Sequence, residues 1–272
     1  MKELFEQSRK LDNRQSSKGN QLKWENGGIW YKADYTGYEG LAEYVVSGLL
    51  LESSLLPEEF VSYQTEEISY KQNRYLACKS KNFLPPGWRL ITLERLFQSM
   101  YGESLNKSIY KIEDHAGRIR FLVQQTIRMT GLKEFGVYLS KLLTIDALFL
   151  NEDRHTHNIA VLLDDAGEYH YCPFFDHGAA LLSDTTMDYP MTGDVDEMME
   201  EVKAKTFCGD FDEQLDLVEE LYGQRIQFFY DEKSIDGLLL AESFYLEEIK
   251  SRVKTILLYQ RRKYKYLFAD RA

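Results

Sequence analysis

The stretch 151–163, NEDRHTHNIAVLL, decides how the rest of the chain is read. It sets Asp153, Arg154, His155, His157 and Asn158 on a loop and then enters an apolar run at Ile159. Loops that gather such groups beside a rigid element are frequent sites of chemistry. The run IAVLL (159–163) reads as a strand, and so does YHYCPFF (169–175); Asp164-Asp165-Ala166-Gly167 between them is a hairpin turn. The hairpin carries Asn158 at the start of one strand and Asp176 at the end of the other, so the fold-back predicts that the two side chains meet. An amide and a carboxylate oxygen are what a hard cation such as Mg²⁺ takes, with phosphate oxygens completing its shell. Asp153, five residues before Asn158, is then the carboxylate left to accept a hydroxyl proton or orient a nucleophile. Arg154 and His155 could add positive charge near phosphates or brace the loop.

Working outward, the N-terminal part is mostly strands. GNQLKW (19–24) and GIWYKADY (28–35) flank Asn26-Gly27-Gly28, a hairpin signal. Thr36 to Glu39 fits a capping box, and Leu41, Tyr44, Val45, Gly48 and Leu49 recur at helical spacing, which predicts a helix over 37–52. EEFVSYQ (58–64) and NRYLACKS (73–80) read as further strands, and Pro85-Pro86-Gly87 breaks the chain. From Thr92, a candidate cap, the pattern turns helical: 115–130, 133–150, 194–204, 212–230 and 240–266. The expectation is an α+β, bilobal fold with a small β-rich lobe (1–84) that binds nucleotide phosphates. A larger helical lobe (85–272) carries the catalytic and metal-binding groups. A cleft lies between them.

Within the small lobe, Lys32 lies in a strand and Glu43 in the following helix. A strand Lys paired to a helix Glu holds nucleotide phosphates in kinases. Ser16, Ser17, Lys18 and Gly19 precede the first strand, where backbone N–H groups could cradle phosphate. They form neither a G-x-G-x-x-G loop nor a Walker A sequence. An edge-strand lysine and a capping aspartate are the ordinary readings of Lys32 and Asp153 taken singly. Their order along the chain with Asn158 and Asp176 favours the chemical one. His155, His157, His170 and His177 lack the H-E-x-x-H spacing of a zinc site.

On SSKGNQ, Lys32, AEYVVSGLL, YLACKSKNFL, NEDRHTHN and CPFFDHGAALL, the chain resembles the HipA-type bacterial serine/threonine kinases, especially the short ones, over most of 16–265. The resemblance implies a protein-kinase-like fold, ATP with Mg²⁺, and transfer of the γ-phosphoryl group to a protein Ser or Thr. It also implies self-phosphorylation at Ser16 or Ser17 in the phosphate loop. Cys78, Lys79 and Ser80 would match the hinge that meets adenine, His155 would add to the nucleotide site, and an antitoxin is the implied partner. The usual His-Arg-Asp tripeptide is absent; Arg and His follow the Asp, as they also do in phosphoinositide kinases. A lipid or small-molecule kinase and a silent nucleotide-binding module are therefore the alternatives.

Composition narrows the field. The 272 residues carry 33 Lys and Arg against 44 Asp and Glu, a net charge of −11 that disfavours direct nucleic-acid binding. No apolar run approaches the roughly 18 residues of a membrane span. The three cysteines, Cys78, Cys172 and Cys208, are far apart and form no disulfide framework, in keeping with a cytoplasmic protein.

Overall fold

Strands β1 (Lys2–Glu3) and β2 (Arg9–Lys10) edge a six-stranded sheet completed by β3 (Lys23–Asn26) and β4 (Ile29–Ala33) and, after helix α1 (Glu39–Leu50), by β5 (Gln64–Tyr70) and β6 (Asn73–Lys81). The order is β1-β5-β6-β4-β3-β2. The structure, a computed structural model, describes residues 2–10 and 21–269, so the expected phosphate loop of Ser16, Ser17, Lys18 and Gly19 lies outside the described residues. The β3–β4 hairpin turns at Gly27 and Gly28, at φ 62° and 78°, a conformation that a Cβ disfavours at both positions. One face of the sheet buries Trp24, Tyr31, Ala33, Ile68, Tyr70 and Ala77, with Leu4 against them.

Helix α1 begins two residues later than expected. Tyr38 is its N-cap, and the Glu39 carboxylate accepts from Thr36 N (2.7 Å) and Gly37 N (3.1 Å). The Thr36 hydroxyl donates to Glu39 rather than capping the helix (2.8 Å). The strand expected at 58–64 is instead a 3₁₀ turn, Pro57–Glu59, and a single bridge from Phe60 to Phe174. The strand proper, β5, begins where that expectation ended, because register with β6 overrides its polar composition.

Past the Pro85-Pro86-Gly87 break come β7 (Arg89–Thr92), α2 (Leu93–Tyr101), α3 (Leu105–Tyr110), α4 (His115–Thr130) and α5 (Phe135–Phe149), followed by the hairpin β8 (Ala160–Leu163) and β9 (Tyr169–Tyr171). Thr92 caps α2 by accepting from Arg95 N (3.3 Å). The hairpin gains a third strand that its sequence did not announce, since β7 pairs with β8. Helix α5 is buried nearly all round, which makes it the axis of the lobe.

The remaining elements are α6 (Val195–Glu201), α7 (Phe211–Tyr222), α8 (Glu232–Ala241) and α9 (Glu247–Lys263). The helix expected over 212–230 therefore ends at Tyr222. The one expected over 240–266 is interrupted where the Glu242 carboxylate accepts from Phe244 N and Tyr245 N (2.6 and 3.0 Å). One apolar core joins α1 to α2, α4, α5, α7, α8 and α9. Among the described residues no helix is long and apolar enough to cross a membrane.

Candidate active site

Lys32, the fourth of the five residues of β4, meets α1 because of how closely that helix packs. A Cβ at Gly40 would lie 2.8 Å from the Ala77 backbone, so only glycine lets the first turn of α1 settle on β6. Asp34 fixes the same turn by accepting from Gly40 N (2.6 Å). One turn further, Glu43 is 1% exposed and its Oε1 lies 2.6 Å from Lys32 Nζ. The same ammonium lies 2.7 Å from Asp176 Oδ1, which arrives from beyond β9. Asp176 has φ 64°, an uncommon conformation for a non-glycine residue that aspartate adopts more readily than most.

The charges of these three groups are mutually set. Burial works against the Lys32 ammonium, but Asp176 and Glu43 outweigh it and hold its pKa well above 10.5. Burial likewise opposes ionisation of Asp176; the positive charges of Lys32, Lys23 and Arg154 prevail and keep it well below the ordinary carboxylate range. Glu43 is the weaker acid, raised by burial and by Asp176 against the pull of Lys32.

Arg154 is the brace beneath. It is 2% exposed, and its guanidinium grips Asp146 on α5 in a fork, Nε to Oδ2 at 2.9 Å and Nη2 to Oδ1 at 3.0 Å. Its Nη1 donates to the carbonyls of both Asn158 (3.0 Å) and Phe175 (3.1 Å). One nitrogen thus ties together the backbone at the two ends of the β8–β9 hairpin, at Asn158 and at the residue before Asp176. Arg154 is spent on this bracing and is not available to phosphates.

The residue after Asp176 is part of the same brace. His177, 1% exposed, accepts from Arg154 Nη2 at Nδ1 (3.3 Å), and its backbone N–H donates to Glu43 Oε2 (2.9 Å). Burial first and the guanidinium second hold its pKa well below 6.5, so the ring is neutral at pH 7.

Asp153 is 8% exposed and held on three sides. Its carbonyl accepts from Asn158 Nδ2 (3.0 Å), which fixes the orientation of the Asn158 amide. Its Oδ1 lies 3.2 Å from Lys205 Nζ and its Oδ2 3.6 Å from His155 Nε2. Burial lowers the His155 pKa, with Asp153 opposing.

Cys78, Lys79 and Ser80 are displaced from the role that the resemblance implied. All three lie inside β6: Cys78 is in register with both Lys32 and Thr65, Lys79 with both Tyr31 and Gln64, and Ser80 with Trp30. Bonds from Asp34 N to Leu76 O and from Asn82 N to Gly28 O set the alternation, so the peptide groups of Cys78 and Ser80 face β4. Those of Lys79 face β5. A backbone consumed by its ladder cannot also meet a base, and the first residue past β5 whose peptide group faces outward is Lys81. The Lys79 side chain pairs with Glu66 at 2.8 Å, and the Cys78 thiol is buried.

Two contributors escaped the sequence reading. Asp146 did leave a signal, as a lone charge in the apolar run LLTIDALFL. Lys205 left none; it meets Asp153 from 52 residues away. A cavity of about 560 Å³ lined by Tyr138, Tyr171 and Phe174, among others, is separate from this cleft and contains none of these charged groups.

A small curled sheet with one helix, set over a helical lobe and linked to it through a Lys–Glu–Asp cluster, is a two-lobed kinase-like fold. Among solved structures it is similar to the Helicobacter pylori proinflammatory kinase CtkA, with a TM-score of 0.57 over 90% of this chain and 88% of that one, at 18% identity. Shewanella oneidensis MR-1 HipA, solved with HipB and operator DNA, gives a TM-score of 0.48 at 15% identity, over 94% of this chain and 65% of that one. No family model matches the chain, and no curated protein is similar to it in sequence. At such identities the first likeness establishes the fold.

Proposed function

We propose that the chain is an ATP-dependent phosphotransferase acting on a protein serine or threonine, with residues 1–84 as the nucleotide lobe and 85–272 as the catalytic lobe. The observation that carries this reading is the contact of Lys32 with both Glu43 and Asp176, 2.6 and 2.7 Å. It ties the strand, the helix and the loop after β9 together as the Lys–Glu pair of protein kinases does, which supports the reading. Lys32 binds the nucleotide phosphates and Glu43 positions it. Asn158 Oδ1 and the Asp176 carboxylate suit a hard, oxygen-seeking cation, and they are the residues that would hold Mg²⁺, which supplies charge neutralisation on the phosphates. Asp153 accepts the proton of the incoming hydroxyl as its oxygen attacks the γ-phosphorus and ADP departs. Lys205 keeps the Asp153 carboxylate oriented. Adenine is met by the backbone just past β6, at Lys81 to Phe83. Ser16 or Ser17 is the self-phosphorylation acceptor, and a second protein of the antitoxin kind is the proposed partner.

Incubation with γ-labelled ATP and Mg²⁺ tests the reading: label should pass to the chain itself or to a Ser/Thr substrate. Asp153→Ala should reduce transfer at least about 10²-fold while leaving nucleotide affinity in place. Unchanged transfer in that variant excludes Asp153 from the role. Nucleotide binding without turnover by the unmodified chain would make it a binding module. Phosphopeptide mapping at Ser16 and Ser17 tests the acceptor separately.

A further inference from the structure

A second cluster of chemically active side chains lies away from the cleft, where the starts of two helices meet. His115 is the first residue of α4, Glu213 lies in the first turn of α7, and Cys208 stands two residues before Asp210, the N-cap of α7. One donor atom of each lies within 4.8 Å of the other two. His115 Nδ1 is 2.6 Å from Glu213 Oε1, and Cys208 Sγ donates to the Asp210 carbonyl at 3.0 Å. The ordinary account is a surface His–Glu pair beside a hydrogen-bonded thiol. That account leaves unexplained why a buried thiol and a carboxylate from the start of α7 converge with an imidazole from the start of α4, 93 residues before Cys208.

The geometry points to a zinc site formed by His115 Nδ1, Cys208 Sγ and a Glu213 carboxylate oxygen, with a water completing a tetrahedron. Zinc takes Cys sulfur at about 2.3 Å and His nitrogen or carboxylate oxygen at about 2.0–2.2 Å. Tetrahedral ligands then stand roughly 3.3–3.7 Å apart, inside the observed envelope. Binding requires the close His115–Glu213 pair to open by about 1 Å, an exposed side-chain motion. The thiol proton leaves to solvent as the sulfur–metal bond forms. Thiolate and carboxylate together neutralise the ion, so the filled site sets no net charge against the positive ends of the two helices. Magnesium and calcium demand oxygen ligands throughout and are disfavoured by the sulfur.

The location gives the site a consequence. Four consecutive residues each hold something: Lys205 contacts Asp153 (3.2 Å), Thr206 Oγ1 donates to the Arg154 carbonyl (2.8 Å), the Phe207 carbonyl accepts from Arg118 Nη1 (2.7 Å), and Cys208 belongs to the cluster. A metal on Cys208 would therefore pin the loop that carries Lys205 to Asp153. This consequence rests on the catalytic reading of Asp153; the metal site does not.

Cobalt(II) is the probe, because a thiolate ligand gives it a near-ultraviolet charge-transfer band and a tetrahedral shell gives it visible bands. Titration of the full chain should saturate at one cobalt per chain with both signatures, and zinc but not magnesium should displace it. Cys208→Ser should lose the charge-transfer band, and His115→Ala should weaken binding at least about ten-fold. Metal-free melting of both variants, compared with the parent, shows that they fold. Absence of the band in the parent overturns the site, as does its persistence in a folded Cys208→Ser variant. Neither readout depends on phosphoryl transfer, so failure here leaves the proposed function untouched.

Discussion

The ammonium of Lys32 lies 2.7 Å from the carboxylate of Asp176, 144 residues further along the chain. Glu43 presses on the same ammonium from the other side at 2.6 Å. One cation therefore faces two carboxylates in a part-buried site, and its removal leaves them facing each other. Lys32→Met should abolish ATP-dependent transfer and destabilise the fold by about 3–5 kcal/mol, the usual cost of stripping a buried charge of its partner. For a chain of this length that is a fall in melting temperature on the order of 10 °C. Adding Glu43→Gln should recover part of the stability and none of the activity. A double variant no more stable than Lys32→Met would show that carboxylate repulsion is not what the lysine relieves.

What the sequence made legible was local. The Asn26-Gly27-Gly28 turn placed Lys32 in its hairpin, and the spacing from Asp153 to Asn158 placed both on one loop, because turn glycines and short loops act over a few residues. The partners of that loop were harder to read: Asp146 shows only as a lone charge in an apolar run, with nothing to name Arg154 as its partner, and nothing indicates that Lys205 will reach Asp153. That Cys78, Lys79 and Ser80 belong to the body of β6 was hidden for a related reason: strand length is set by pairing with β4 and β5, which composition does not report. β5 itself was missed because it is mostly polar and closes on Lys71 and Gln72, which do not look like a hairpin turn.

The Arg154–Asp146 pair should behave as a buried pair that costs more to break than to delete. Both side chains are at most 2% exposed. Asp146→Asn leaves the guanidinium buried against an amide and should cost about 3–5 kcal/mol. Replacing both residues with apolar ones should cost less than either single change. Denaturant unfolding checks this, through the midpoint at constant slope. Because Arg154 also carries the Asn158 and Phe175 carbonyls, the double variant should stay folded yet lose transfer activity. A double variant as unstable as the singles would mean that those carbonyl contacts, not the ion pair, dominate.

His177 should make the fold acid-labile. Its folded pKa lies well below 6.5, held there by burial and by Arg154. Above pH 6.5 the ring is neutral whether folded or unfolded, and it contributes nothing to the pH dependence. As pH falls below that value the unfolded chain takes up a proton that the folded chain refuses, so stability declines toward the folded pKa. One such group contributes a slope of up to about 1.4 kcal/mol per pH unit. His155, lowered in the same direction, adds to it. Unfolding free energies of the parent and of His177→Phe between about pH 5 and 7 give the comparison. The variant should show the shallower decline, and parallel curves would assign the acid lability elsewhere.

The β5–β6 turn offers a gain. Lys71 and Gln72 have φ 50° and 66°, the pair of left-handed conformations of a tight hairpin turn that Asn-Gly ordinarily fills. Lys71 has reason to stay: its Nζ lies 2.9 Å from Glu6 Oε2 and over the Tyr70 ring. Gln72 is exposed, and no such contact recommends it. A non-glycine residue in this conformation costs about 1 kcal/mol or more, against which glycine's greater freedom in the unfolded chain returns only part. Gln72→Gly should therefore stabilise the fold by about 0.5–1 kcal/mol, seen as a higher denaturant midpoint with the same slope. Gln72→Val should move the midpoint the other way, since a β-branched side chain tolerates positive φ least. Equal midpoints for the two variants would mean that the turn relaxes in solution to a conformation without left-handed residues.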